Sequence, residues 1–272
     1  MIKNIFPSEE KTISLSEVYR IEKSGDYTFK IEKCIEASLF IFVDLKEEKV
    51  SLNFSLLPYS NLSLTIVTNT VSSEIEYNIN LEKESKLLFY SSDYTEKDLK
   101  TVKTISLSGY HSSAKVYEVT SAKEEGNIKG AFNFNHNNSS TECEGDFYYL
   151  ANGNTSINKD VVALIKHGMK DSVSGEKIKG ILLSKNAKIE AKPILKIEYD
   201  EVKASHGCAI GTIDANEIYY LMSRGLTKED AMKIISKSFI NPIILMASKN
   251  EEYKELVLPY LLKTIGSDKH EL

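Results

Sequence analysis

The sequence predicts a mostly β protein that ends in a short helical region, and three observations carry that prediction. Short runs rich in β-branched and aromatic residues recur about every 10–12 residues from Ala37 onward. Hairpin-turn pairs are scarce, with Asn-Gly found once, at Asn152–Gly153, and Asp-Gly not at all. After Gly211 the alternation gives way to helix-capping residues. Spacing alone admits a sandwich, a barrel or a solenoid. The shortage of primed-turn residues favours a parallel β-helix, whose successive strands need not reverse through hairpins.

The strand signals come in order. "ASLFIFVDL", "VSLNFSLL", "LSLTIVTN", "EIEYNINL" and "SKLLFYSS" are separated by the polar stretches "KEEK", "PYSN", "TVSS" and "EKES". The series continues through "TVKTISLSGY", "AKVYEVTS", "GAFNFNH", "GDFYYLAN", "DVVALIKH", "IKGILLS" and "ILKIEY". Within it, only "SSDYTEKDLK" has a pattern compatible with a helix. A β core over 1–211 and a helical region over 212–272 follow. In the second part, Asp214 with Glu217 three residues on reads as a helix start, and Gly225 as its left-handed stop. Thr227 and Asp230 open a second helix whose apolar face is marked by Ala231, Ile234, Ile235, Ser238 and Phe239. Asn241–Pro242 is expected to break that helix. A further helix is expected through "EEYKELVLPYLLKTIG", interrupted or kinked at Pro259, with "SDKHEL" as a frayed tail.

Composition narrows the function. A net charge of -5 with no Lys/Arg cluster argues against nucleic acid or an anionic membrane as a partner. No apolar run approaches the roughly 20 residues that span a bilayer, and the first residues lack a signal-peptide core. Three well-separated cysteines fit reduced thiols and a cytoplasmic location. Phosphate-loop, GxSxG and HExxH motifs are absent, so any nucleotide hydrolysis must come from another chain.

Few residues carry chemistry. His206 and Cys208 stand two apart, on one side of a strand, where imidazole and thiol can hold a soft metal. A packed cysteine beside a satisfied histidine is the plainer alternative. Cys143, between Glu142 and Glu144, reads as a core thiol, and so does Cys34. His111 and His136 lie near Ser/Asn-rich turns and are expected to be solvated; His167 precedes a turn at Gly168.

The segment "ILLSKNAKIEAKPILKIEYDEVKASHGCAIGTIDANEIYYLMSRGLTKEDA" resembles the signature end of the SufB/SufD iron–sulfur scaffold family. The resemblance rests on Leu182, Leu183, Ser184, Pro193, Leu195, Ile197, Asp200, Val202, Lys203, "SHG" at Ser205–Gly207, Gly211, Asp214 and "YLMSRG" ending at Gly225. It implies a right-handed parallel β-helix, a non-catalytic role in iron–sulfur assembly, and a SufC-type ABC ATPase docked on the C-terminal helices. It also implies pairing with a second SufB/SufD-type subunit, or with a copy of itself, through the end of the β-helix. A transient iron–sulfur cluster, none held permanently, would lie near that seam, with His206 and Cys208 as its residues here. Met232, Ile235 and Phe239 are expected to contribute to ATPase docking, although such a stripe serves equally to pack a helix on the core. The chain departs from the B-type pattern, having no cysteine near Ile178 and Gly207 where that type has glutamate. It is closer to the D-type, whose reading "SHG" it shares, and departs from that type by placing Cys208 where alanine is usual. An adaptor for SufC that holds no metal, and a β-helical carbohydrate-active enzyme, are the competing readings.

Overall fold

The computed structural model describes residues 2–265. Its strands are β1 (Lys3–Asn4), β2 (Glu10–Ile13), β3 (Glu17–Ile21), β4 (Gly25–Ile31), β5 (Glu36–Leu45), β6 (Lys49–Leu56), β7 (Asn61–Leu81) and β8 (Lys86–Leu107). They continue as β9 (Ser113–Ala122), β10 (Asn127–His136), β11 (Glu142–Ala151), β12 (Ser156–Ile165), β13 (Val173–Leu182), β14 (Lys188–Ile197) and β15 (Lys203–Thr212). Three helices follow: α1 (Ala215–Ser223), α2 (Lys228–Ala247) and α3 (Glu251–Lys263).

The strands build a parallel β-helix with two faces. One face runs β1-β3-β5-β7-β8-β9-β11-β13-β15; the other holds β2, β4, β6, β10, β12 and β14. β7 and β8 turn the corner and contribute to both. The ladder offset grows along the chain: Glu17 pairs with Leu39, 22 residues on; Leu64 pairs with Phe89, 25 on; Gly145 pairs with Glu176, 31 on. Alternation fills the interior, as in β6, where Val50, Leu52, Phe54 and Leu56 are buried. Aromatic side chains stack from coil to coil, Phe29 lying 5.1 Å from Phe54. The first coils, through Ile31, lie upstream of the strand signals read from Ala37; Tyr27, Phe29 and Ile31 are their inward residues.

One corner repeats a device that replaces the hairpin turn. Cys34, Tyr59, Glu84, His111, Ser140 and Asp171 all take positive φ, between 53° and 66° with Ser8 included. The Tyr59 N–H donates to Lys83 O, Glu84 to Tyr110 O, and Asp171 to Glu201 O, tying each corner to the next coil. After the last five of these stand Ser60, Ser85, Ser112, Thr141 and Ser172, all fully buried. Several close the turn by a hydroxyl bond, as Ser60 does to Leu57 O at 2.6 Å.

Four expectations are corrected. "SSDYTEKDLK" is strand within β8, because its residues pair in register with β7 and β9. Cys34 is exposed at a left-handed corner, since "IEKCIEA" crosses a turn and does not continue a strand. His136 is buried, the last inward residue of β10, with Nδ1 2.7 Å from Thr141 Oγ1. Helix α2 runs through Pro242 without a break. Ile240 before the proline and Ile243 and Ala247 after it are buried together against the solenoid, so packing on both sides outweighs the local penalty. The Phe239 carbonyl, one turn back, accepts from Tyr117 Oη at 2.9 Å.

The helix caps fall where the sequence places them. The Asp214 carboxylate accepts from Asn216 N at 2.8 Å, Gly225 has φ 97°, and Thr227 Oγ1 accepts from Asp230 N at 3.1 Å. Helix α3 runs through Pro259. The tail "SDKHEL" lies outside the described residues. Helices α2 and α3 cover the outer surface of the first face, burying Phe40, Phe42, Val67, Val119 and Leu150 in a second core. Tyr253 anchors α3 there, donating to Ile41 O at 2.8 Å.

Candidate functional site

The last coil is open. Among the described residues β14 pairs only with β12, and β15 only with β13, so one edge of each has no described strand beside it. Nearly every residue of β15 is exposed. The inward side of this coil can be identified. A Cβ on Gly180 would lie 3.0 Å from Ile210 Cγ1 and 3.2 Å from Ile189 Cγ2, which sets Gly180 and Ile210 facing the interior. By alternation His206 and Cys208 face the same way. His206 pairs with Glu176 and Cys208 with Ile178 one coil below. The Cys208 Sγ reaches 3.8 Å from Ala191 O, across on β14. Partial burial raises the Cys208 thiol above its ordinary value, which favours the protonated form until a metal or base takes the proton. Among the described residues no three His, Cys, Asp or Glu side chains converge as a metal site. Any cluster at this mouth therefore needs ligands from outside the described chain.

Beneath the mouth runs a buried polar row that sequence reasoning missed. Glu176 Oε1 accepts from Ser174 at 2.7 Å, Ser174 Oγ is 3.1 Å from Cys143 Sγ, and that sulfur is 3.3 Å from His136 Nε2. Cys143 is thus the core thiol expected, with burial pushing its pKa far up, so it is no nucleophile. Burial lowers the His136 imidazole to about 4. Deeper lies an ionic cluster: Lys103 Nζ is 2.6 Å from both Asp93 Oδ2 and Glu118 Oε2, and Lys159 bonds the other Glu118 oxygen. Burial alone would push the Glu118 carboxyl up; Lys103 and Lys159 outweigh it and hold it well below the usual range. The signal for both groups was a polar residue at an inward strand position; which ones meet was not visible along the chain.

The helical residues singled out lie at the joint between α2 and the last coils. Phe239 packs 5.2 Å from Tyr148, with Lys179 Nζ 5.1 Å from its ring centroid. Ile235 and Phe239 border a hollow with Gly180, Ile210 and Ile213; Met232 borders another with Leu182, Leu183 and Met222. All three are half-buried. Helix α1 buries no residue, and Tyr219 is 74% exposed on it.

The fold is a parallel β-helix with an open last rung and a helical flank. The chain belongs to the family described as "SUF system FeS cluster assembly, SufBD core domain", whose model matches residues 54–239. It is therefore a member of a family of iron–sulfur cluster assembly proteins, and the carbohydrate-active alternative has no support. It is 35% identical over 83 residues to the iron–sulfur cluster assembly protein SufD of Bacillus subtilis, covering 30% of this chain and 19% of that protein. It is 40% identical over 78 residues to SufD of Escherichia coli, covering 29% and 18%. A SufBD family protein of Pyrococcus horikoshii is 38% identical over 99 residues, covering 34% and 22%. The chain thus spans less than a quarter of the length of these relatives. Among the described residues no helix is long and apolar enough to cross a membrane.

Proposed function

We propose that this chain is a non-catalytic scaffold subunit of a Suf-type iron–sulfur assembly complex, working in the cytoplasm with a SufC-type ATPase. The observation that carries the reading is the pair His206–Cys208, facing inward on the open rung of the last coil. A neutral imidazole and a thiolate suit iron and sulfide as cargo. Two ligands leave a tetrahedral ion half coordinated, so a second SufB/SufD-type subunit or a second copy completes the set across the open edges. The ATPase docks on the helical flank, where Met232 borders one hollow with the exposed Tyr219 and Ile235 and Phe239 border the next. Because Phe239 also packs on Tyr148, its part in docking is to hold α2 in place.

Anaerobic reconstitution with iron and sulfide tests the scaffold role. His206→Ala and Cys208→Ser each reduce the iron and sulfide retained, with melting temperature nearly unchanged. Normal iron with early melting in Cys208→Ser makes that thiol a packing group. Normal iron in both variants leaves the adaptor reading, in which the chain binds the ATPase and no metal. Met232→Glu and Ile235→Glu weaken co-purification of the ATPase; unchanged capture by folded variants moves the docking surface elsewhere.

A further inference from the structure

Glu176 stands on β13 directly below His206 in the parallel ladder. It is 1% exposed. One of its oxygens accepts from Ser174 Oγ, while the other, Oε2, has no hydrogen-bond partner among the described residues. An unpartnered carboxylate oxygen inside a protein is costly, and an apolar side chain would avoid the cost, as Ile178 does two residues along the same inward row. The position calls for a donor. Neighbouring rungs lie ~4.8 Å apart, so two inward side chains stacked on them are within reach of one N–H···O bond. The side chain stacked on Glu176 is the exposed imidazole of His206, which does not bond Oε2 in this structure and would reach it by rotating about its side-chain torsions.

We propose that Glu176 is a positioning residue for His206. Its free oxygen accepts the inward ring N–H, which fixes one tautomer and turns the other nitrogen out of the mouth toward an arriving metal. A carboxylate behind a ligating histidine is the common way to orient the ring and raise its basicity. This inference rests on the reading of His206 as a residue that holds metal. It adds a group that sits on a different strand, in the coil below, and that touches no cargo itself.

The test uses the full chain and Glu176→Leu, which removes the acceptor at nearly constant volume, with Glu176→Met as substitute should the leucine variant not fold. Long-range ¹H–¹⁵N spectra of His206 at pH 8 read the tautomer without any metal present. One tautomer is expected in the parent chain and a mixture in the variant. Cobalt(II) added anaerobically is expected to bind 10- to 100-fold more weakly to the variant. The same ring-nitrogen pattern in both proteins overturns the proposal. So does a changed tautomer with unchanged cobalt affinity, because positioning would then have no consequence for metal. His206→Ala separates the two claims: cobalt binding unaffected by that change removes the metal reading itself, whereas the ring-nitrogen comparison still reports on the Glu176 contact.

Discussion

Removing the Lys103 ammonium would leave Asp93, about 1% exposed, without its close cation, and Glu118 with Lys159 alone. Lys103→Met is therefore expected to cost about 3–5 kcal/mol, read by denaturant unfolding, because a buried charge left without its partner is far worse than a buried pair. A loss under about 1 kcal/mol would show that water or Lys159 compensates. His136 gives a second, pH-dependent expectation. Its folded value near 4 lies below its ordinary 6.5. Between those values the unfolded chain takes up a proton that the folded chain refuses, so stability is full above pH 6.5 and falls as pH drops toward 4. The size is on the order of 3 kcal/mol. His136→Gln should flatten that part of a melting-temperature profile; an unchanged slope would assign it to other groups. Alternation along the sequence was enough to place Cys143 inside. It was not enough for His136, because "HNNSS" reads as turn from the residue itself onward, whereas the strand ends on the histidine.

At the scale of elements, the caps at Asp214 and Thr227 were legible because they are local: side chain and amide lie two or three residues apart. Pro242 was misread because what holds α2 continuous is remote, namely Tyr117 and its neighbours on the outer face of the solenoid. Pro242→Ala should restore a helical N–H and raise stability by about 1–3 kcal/mol. A destabilised variant would mean the proline is itself part of the packing. Truncation after Thr212 would uncover Phe40, Phe42, Val67 and Leu150. That shorter chain should keep its β circular dichroism, lose helix signal and self-associate or bind a hydrophobic dye. A strongly helical spectrum from it would contradict the division of elements seen here.

At the scale of the molecule, the sequence separated strand from helix well and sandwich from solenoid only weakly. The corner residues explain why. Left-handed φ at Tyr59, Glu84, His111 and Asp171 leaves no glycine signature, so the repeat is written in backbone geometry and in one buried Ser or Thr per corner. Assembly belongs to this scale too. If two copies meet at their open ends, a short bis-maleimide should link them through Cys208 in a Cys34→Ser background. The linked dimer should vanish when Cys208→Ser is added. A monomer at all concentrations, with no linkage, would require a different subunit as the partner.

The solenoid is a stack in which each coil leans on its neighbours, and the coil that carries His206 leans on one side only. Fraying should start there, so amide exchange in β15 is expected to run ahead of that in β11. A partner seated on the edge would then slow exchange in β15 first. If His206 and Cys208 hold cargo as proposed, the rung that offers them is also one in need of company, and recruitment of a partner would double as the last step of folding.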